Sequence, residues 1–188
     1  ANLRKAGAVI LGRTNTPELG LVTTTEITDA TPAAFAAHEE SRLNTVAIAE
    51  NMLHETRPNI LFGGGSSGLT PADAEAAGYT VVTTESELAA LNTEAVSYVS
   101  GQFGPTDIPY IVDGRGALPG LVAMVEAALD ILDNDPDGFF LMVEAGRIDD
   151  ACHEHNIQKT VYEVMELSEA VARAQAWAEG RMDTVILV

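Results

Sequence analysis

Cysteine is almost missing: Cys152 is the only one in 188 residues. No internal disulfide can form, so burial has to hold the fold. Basic residues are scarce too, with 10 Lys and Arg against 28 Asp and Glu, a net charge of −18 and a pI near 4.3. That balance argues against nucleic acid or an anionic membrane as the main partner. An anionic small substrate stays open, because a bound metal or an arginine reverses the local sign. No apolar run reaches the roughly 18 residues of a membrane span. Residues Ala1 to Lys5 do not have the layout of a signal peptide. No internal repeat and no low-complexity segment is found.

What is present is a globular composition, 46% hydrophobic, in a length sufficient for one domain. Short β-rich runs alternate with helical patterns. Strands are expected at Ala8–Leu11, Leu19–Thr25, Asn59–Phe62, Tyr79–Thr83, Phe139–Val143 and Thr184–Val188. Helices are expected from Thr31 to about Glu55, over Thr70–Glu75, from Glu85, over Leu118–Leu132 and from about Gln158 to Glu179. In the last of these, the stripe Val161, Val164, Leu167 and Val171, with Trp177, is expected in the core. Gly63-Gly-Gly65 should end its strand in a turn, and Val96 to Gly116 shows no clear pattern. Strands separated by helices predict an α/β fold, a mainly parallel sheet with helices on both faces. The chain stops on an apolar run that reads as a strand, so residues 1–188 are expected to be a single, truncated domain with an incomplete sheet.

Two constellations could carry chemistry. Glu144 falls where a strand ends, and ligand sites in parallel sheets lie beyond the carboxyl ends of strands. Asp149 and His153 are four residues apart, so a helical turn points both the same way. Their oxygen and nitrogen donors suit zinc, although the same pair also fits a solvated helix surface. Asp29 and Thr31 lie at a strand-to-helix junction. A carboxylate with a hydroxyl suits a hard cation such as Mg²⁺, but Asp29 or Thr31 could simply cap the helix. Arg42, placed three turns down that helix, is the residue type for clamping a phosphate in two-pronged fashion.

The stretches Gly20–Arg42, Asn59–Gly65 and Asp135–Asp149 resemble the alkaline phosphatase family, in the family's order. The resemblance covers roughly Leu19 to Val188. It implies that Asp29, Thr31 and Glu144 are magnesium ligands, that Asp149 and His153 are two ligands of a catalytic zinc, and that Arg42 holds the substrate phosphate. Asp150 falls where the family varies and tunes phosphate binding. An aspartate there would oppose an anion, or hold water or metal. The implied reaction is hydrolysis of a phosphate monoester through a phosphoserine intermediate, with Zn²⁺ and Mg²⁺ as cofactors. A homodimer in the periplasm or outside the cell is the implied setting, with neither nucleic acid nor membrane as partner. No segment here matches the family's Asp-Gly-Met-Gly, Asp-Ser-Ala, Thr-Ala-Asp-His-Glu or late histidine motifs. No nucleophile serine is therefore identified, and this chain alone is expected to be inactive. A non-catalytic α/β metal-binding domain is the alternative.

A second resemblance covers Leu3–Glu18, which is similar to a stretch of the amidase-signature hydrolases. Gly64-Gly-Ser-Ser-Gly68 is similar to that family's nucleophile loop, whose reactive serine would be Ser67. A flexible turn accounts for Ser66 and Ser67 equally well, and no lysine here matches the catalytic one.

Overall fold

The computed structural model describes residues 18–66 and 68–188. The strand expected at Ala8–Leu11, the amidase-like stretch up to residue 17 and Ser67 lie outside the described residues. Five parallel strands form one sheet: β1 (Glu18–Glu26), β2 (Ile60–Gly64), β3 (Thr80–Val82), β4 (Val99–Gln102) and β5 (Phe139–Glu144), in the order β3-β4-β2-β1-β5. Seven α-helices complete the described residues: α1 (Ala30–Ala36), α2 (Thr45–Glu50), α3 (Pro71–Ala76), α4 (Glu85–Ala89), α5 (Leu121–Leu132), α6 (Arg147–His153) and α7 (Ile157–Trp177). Among them no helix is long and apolar enough to cross a membrane.

The sheet is covered on both faces, as the alternation of elements predicts. Successive side chains of a strand point to opposite sides. Leu21, Leu61 and Met142 accordingly join one core cluster with Ala33 of α1 and Ile48 of α2. Val22, Ile60 and Phe62 join the other, with Leu121, Met124 and Leu132 of α5 and Ala170 of α7. β1 is an interior strand, hydrogen-bonded to β2 and β5, and its run from Gly20 to Thr25 is buried. β-Branched residues make up most of that run, which suits a strand enclosed on both faces.

Several boundaries differ from expectation. The helix expected from Thr31 to Glu55 is two helices, the second running on through a π-helical turn at Asn51–Thr56. Side chains from that turn terminate α1: Asn51 Oδ1 accepts from the His38 N–H, and the Thr56 hydroxyl donates to the Ala36 carbonyl. Those bonds satisfy groups that a continuous helix would have used. Arg42 therefore lies in the connector and not on a helix. β4 and a 3₁₀ turn at Ile111–Asp113 emerge from the stretch that shows no pattern in sequence. Thr184–Val188 forms no strand. A parallel strand needs a ladder partner, none of the described strands pairs with this run, and Leu187 and Val188 are exposed.

The buried face of α7 is also displaced from the expected stripe. Val161 and Val164 are exposed, whereas Glu163 is 1% exposed and Ala170 is buried. Leu167, Ala174 and Trp177 pack against the core on the same face. A charged residue turns inward because Arg115 meets it there. Hydrophobic patterning cannot register a buried ion pair.

Candidate active site

The residues singled out from the sequence gather at the carboxyl ends of β1 and β5 and in the segments that follow them. Asp29 caps α1: its Oδ1 accepts from the Ala30 N–H at 2.7 Å. The same oxygen takes the Arg42 guanidinium. The helix-cap reading of Asp29 and a direct contact with the phosphate-type arginine therefore hold together. Thr31 sits in the first turn of α1 and is half-buried.

Glu144 is the last residue of β5 and lies in register with Thr23 of β1. Its Oε2 accepts from Thr23 Oγ1 at 2.8 Å, and Thr23 and Thr25 share a hydroxyl–hydroxyl bond of 2.8 Å. A Cβ on Gly146 would come within 2.5 Å of Thr25 Cγ2 and 3.3 Å of the Glu144 carboxyl carbon. The absence of a side chain there lets the chain turn tightly from β5 into α6.

Asp149 and His153 lie on α6, directly beyond that turn. Asp149 Oδ2 is 3.4 Å from His153 Nε2, and both side chains are about 80% exposed. Asp150 turns away from them: its carboxylate receives Arg147 at 2.7 Å. Arg147 also donates to Asp107 Oδ2 at 3.1 Å and stacks over the Tyr110 ring at 3.9 Å. The negative charge of Asp150 is thereby largely offset by a neighbouring cation. Among the described residues no three His, Cys, Asp or Glu side chains converge as a metal cluster. The donors stand instead as separate partial sets, with Asp29 against Arg42, Asp149 against His153, and Glu144 held by Thr23.

Asp107, Tyr110 and Arg147 escape the sequence reading, as does the role of Glu26. Asp107 Oδ1 accepts from the Glu26 N–H at 2.9 Å and so ties the loop after β4 to the end of β1. Its one sequence signal is a carboxylate a few residues past a strand end, and β4 itself is hard to see because Gly101 and Gln102 dilute it. Burial pushes the Asp107 carboxyl above the usual range, partly countered by the Glu26 N–H and Arg147. Burial also raises Glu26, with Asp107 and Asp29 adding to it.

A carboxyl raised by folding contributes stability below its unfolded value, about 3.9 for aspartate, and loses it as pH rises through the folded value. Asp107→Asn keeps the acceptor for the Glu26 N–H and removes the charge. The variant is expected to melt above the parent at pH 7, with the gap closing below about pH 4. Thermal unfolding at the two pH values checks this, and a lower melting temperature at pH 7 would mean that the Arg147 ion pair outweighs the burial cost.

Ser66 forms an isolated antiparallel bridge with Leu69, and its buried Oγ has no partner among the described residues. No lysine among the described residues is bonded to it. A family match over residues 11–188 begins inside the stretch that resembles amidases.

The family model for alkaline phosphatase matches residues 11–188. Alkaline phosphatase 3 of Bacillus subtilis is 34% identical over 179 residues, covering 89% of this chain and 38% of the relative. The repressible alkaline phosphatase of Saccharomyces cerevisiae is 33% identical over 205 residues, covering 90% and 36%. Among solved structures, Thermus thermophilus alkaline phosphatase superposes with a TM-score of 0.81 at 35% identity, covering 89% of this chain and 37% of that one. The cold-active enzyme of a Shewanella species gives 0.80 at 29%, covering 89% and 42%. A mutant of the enzyme from the Antarctic bacterium TAB5, solved with Mg bound in the M3 site, gives 0.73 at 27%, covering 87% and 49%. The chain thus spans about two fifths of the length of the relatives it matches. With a parallel sheet of the same architecture and a family match over nearly all its residues, this chain belongs to the alkaline phosphatase family.

Proposed function

We propose that residues 1–188 are a single domain carrying half of the metal and phosphate site of a phosphomonoesterase. The observation that carries this reading is the convergence of Asp149 Oδ2 and His153 Nε2, 3.4 Å apart on the helix just beyond the carboxyl end of β5. An oxygen and an imidazole nitrogen at that spacing, open to solvent, suit part of a zinc site. Donor chemistry also fits magnesium. Both hydrogen bonds to Asp29 fall on Oδ1, and the bond to Glu144 falls on Oε2, which leaves one oxygen of each carboxylate for a hard cation. Thr31 adds a hydroxyl nearby in sequence. The TAB5 relative with bound Mg supports that assignment.

Bound metal ions in such a site supply Lewis-acid stabilisation of the oxygens entering and leaving phosphorus. The chain's own residues do the remaining work. Arg42 binds phosphate oxygens, and its contact with Asp29 aims the guanidinium before substrate arrives. Thr23 fixes the Glu144 carboxylate. Arg147 holds Asp150 and offsets its charge, so an anion in the site meets less repulsion than the sequence alone implies. No serine among these residues takes the role of nucleophile in this reading, so these 188 residues are expected to leave phosphate esters intact. The whole enzyme's setting, a homodimer in the periplasm or outside the cell that acts on phosphate monoesters, follows the family.

Zinc binding tests the proposal. In competition with a chromophoric chelator at about pH 8, where an ordinary imidazole is neutral, the chain is expected to bind Zn²⁺. His153→Ala should weaken binding at least tenfold, or ~1.4 kcal/mol. Equal binding by the two proteins, or metal-dependent turnover of a phosphate ester by the chain itself, would count against the reading.

A further inference from the structure

The two donors proposed for zinc have little of their own to hold them in place. Asp149 and His153 are about 80% exposed, and among the described residues each side chain has only the other as a polar partner. Their aim therefore depends on the helix that carries them. α6 has seven residues, Arg147–His153, too few to persist without tertiary support. Much of that support converges on one buried side chain. Tyr110, 3% exposed, directly precedes the 3₁₀ turn at Ile111–Asp113. The guanidinium of Arg147, the first residue of α6, lies 3.9 Å from the centre of its ring. Its hydroxyl donates to Oε1 of Glu154, the residue that caps the other end of α6, at 2.8 Å.

A single phenol thus touches both ends of α6. Lys159 of α7 closes the arrangement: its Nζ donates to Glu154 Oε2 at 3.0 Å and lies 3.9 Å from the centre of the same ring. The electron-rich ring attracts both cations, and a hydroxyl donated to a carboxylate makes a charge-assisted bond. Arg147 in turn reaches Asp107 at 3.1 Å, so the loop after β4 holds the start of α6 through two contacts. We propose that Tyr110 is a positioning residue of the zinc half-site: it fixes both ends of α6, and through them the Asp149–His153 pair. It touches neither metal nor substrate. This role rests on the zinc reading of that pair given above. Groups that orient metal ligands from outside typically cost about 10–100-fold in metal affinity when they are lost.

Zinc titrations of the whole chain, followed by the ring ¹⁵N resonances of His153, read the pair directly and need no activity. Tyr110→Leu removes ring and hydroxyl together and should weaken Zn²⁺ binding at His153 at least tenfold. Tyr110→Phe keeps the ring against Arg147 and Lys159 and loses only the bond to Glu154. It should rescue part of the loss and weaken binding by about threefold, near the low end for one net hydrogen bond. Circular dichroism confirms that each variant is folded at the titration temperature. A purely structural role would lower the melting temperature and leave the affinity of the folded protein unchanged. Parent-like affinity in folded Tyr110→Leu, with binding lost in His153→Ala, overturns the proposal and leaves the half-site reading intact. If Tyr110→Leu does not fold, Tyr110→Phe decides in the same way. Parent His153 resonances that ignore zinc overturn the half-site reading and the role of Tyr110 with it.

Discussion

Arg115→Met lowers the unfolding free energy by about 3–5 kcal/mol, the range for removing one partner of a buried ion pair. The arginine side chain is 10% exposed, and its two acidic partners, Glu163 and Glu166 of α7, are 1% and 12% exposed. The guanidinium contacts both carboxylates of Glu166's and Glu163's side chains, at 2.8 and 3.2 Å, and its Nε donates to the Pro109 carbonyl at 2.9 Å. The same carboxylates take main-chain donors: Glu163 from Ile111 at 2.9 Å and Glu166 from Leu121 at 3.0 Å. One cluster therefore ties α7 to the 3₁₀ turn and to the start of α5. Methionine fills similar volume but strands two carboxylates in a poorly solvated place.

The pH dependence follows from the same cluster. Burial is the main cause that raises the Glu163 carboxyl, with the Ile111 N–H and then Arg115 acting in the opposite direction. A raised carboxyl favours folding below its unfolded value and loses that contribution as pH rises through its folded value. Without Arg115 the upward push is countered less, by the Ile111 N–H and Arg147. The deficit of the variant should therefore be greatest at pH 7 and shrink as the solution is acidified. Urea unfolding at pH 7 and pH 5 reads this directly. Adding Glu163→Gln to Arg115→Met should recover part of the loss, and a deficit under 1 kcal/mol at pH 7 would show that the cluster is solvated in solution.

Gly64→Ala is expected to cost about 3 kcal/mol, at the upper end of what overpacking usually costs. A Cβ at this position would stand 2.0 Å from the Thr106 carbonyl oxygen, 2.6 Å from its carbon and 3.0 Å from Asp107 Cα. The obstacles are main chain, so no rotamer change relieves them. The loop after β4 would have to move outward. Asp107 would then leave the Glu26 N–H and Arg147, which it now joins at 2.9 and 3.1 Å. Thermal unfolding measures the cost, and faster hydrogen exchange at the Glu26 amide would locate it. Parent-like stability would show that the loop yields without penalty.

This glycine also shows how far residue patterns reach. Gly63-Gly-Gly65 reads in sequence as a turn that ends a strand. Gly63 and Gly64 instead lie inside β2; the bare backbone of Gly63 admits Thr23, Thr25 and Ile27, and that of Gly64 admits the loop at Thr106 and Asp107. Glycine marks a position where a side chain is unwelcome, but sequence does not say whether a turn or a close approach excludes it. Arg42 is a similar case. Residue type identifies a phosphate-type cation, while its seat in the connector between α1 and α2 depends on side-chain bonds from Asn51 and Thr56. Asp150 reads as a charge opposed to anions, and the neighbouring Arg147 reverses much of that expectation.

Local chemistry and period were legible from the chain alone. The helix starts expected at Thr70, near Glu85 and at about Gln158 fall at the caps Thr70, Thr84 and Asn156, which bond to near neighbours in the chain. The enclosed strands β1 and β2, and β5 at the edge of the described sheet, follow from continuous apolar and β-branched runs. The spacing of Asp149 and His153 follows from the helical repeat. The alkaline phosphatase motifs rest on the same short-range order. Long-range pairing was decided only by the tertiary structure: the order of strands, the inward turn of Glu163 toward Arg115, and the tie between Asp107 and Glu26. The physical reason is that a buried charge or a missing side chain is stable only against a particular distant partner, and composition along the chain carries no record of which partner that is.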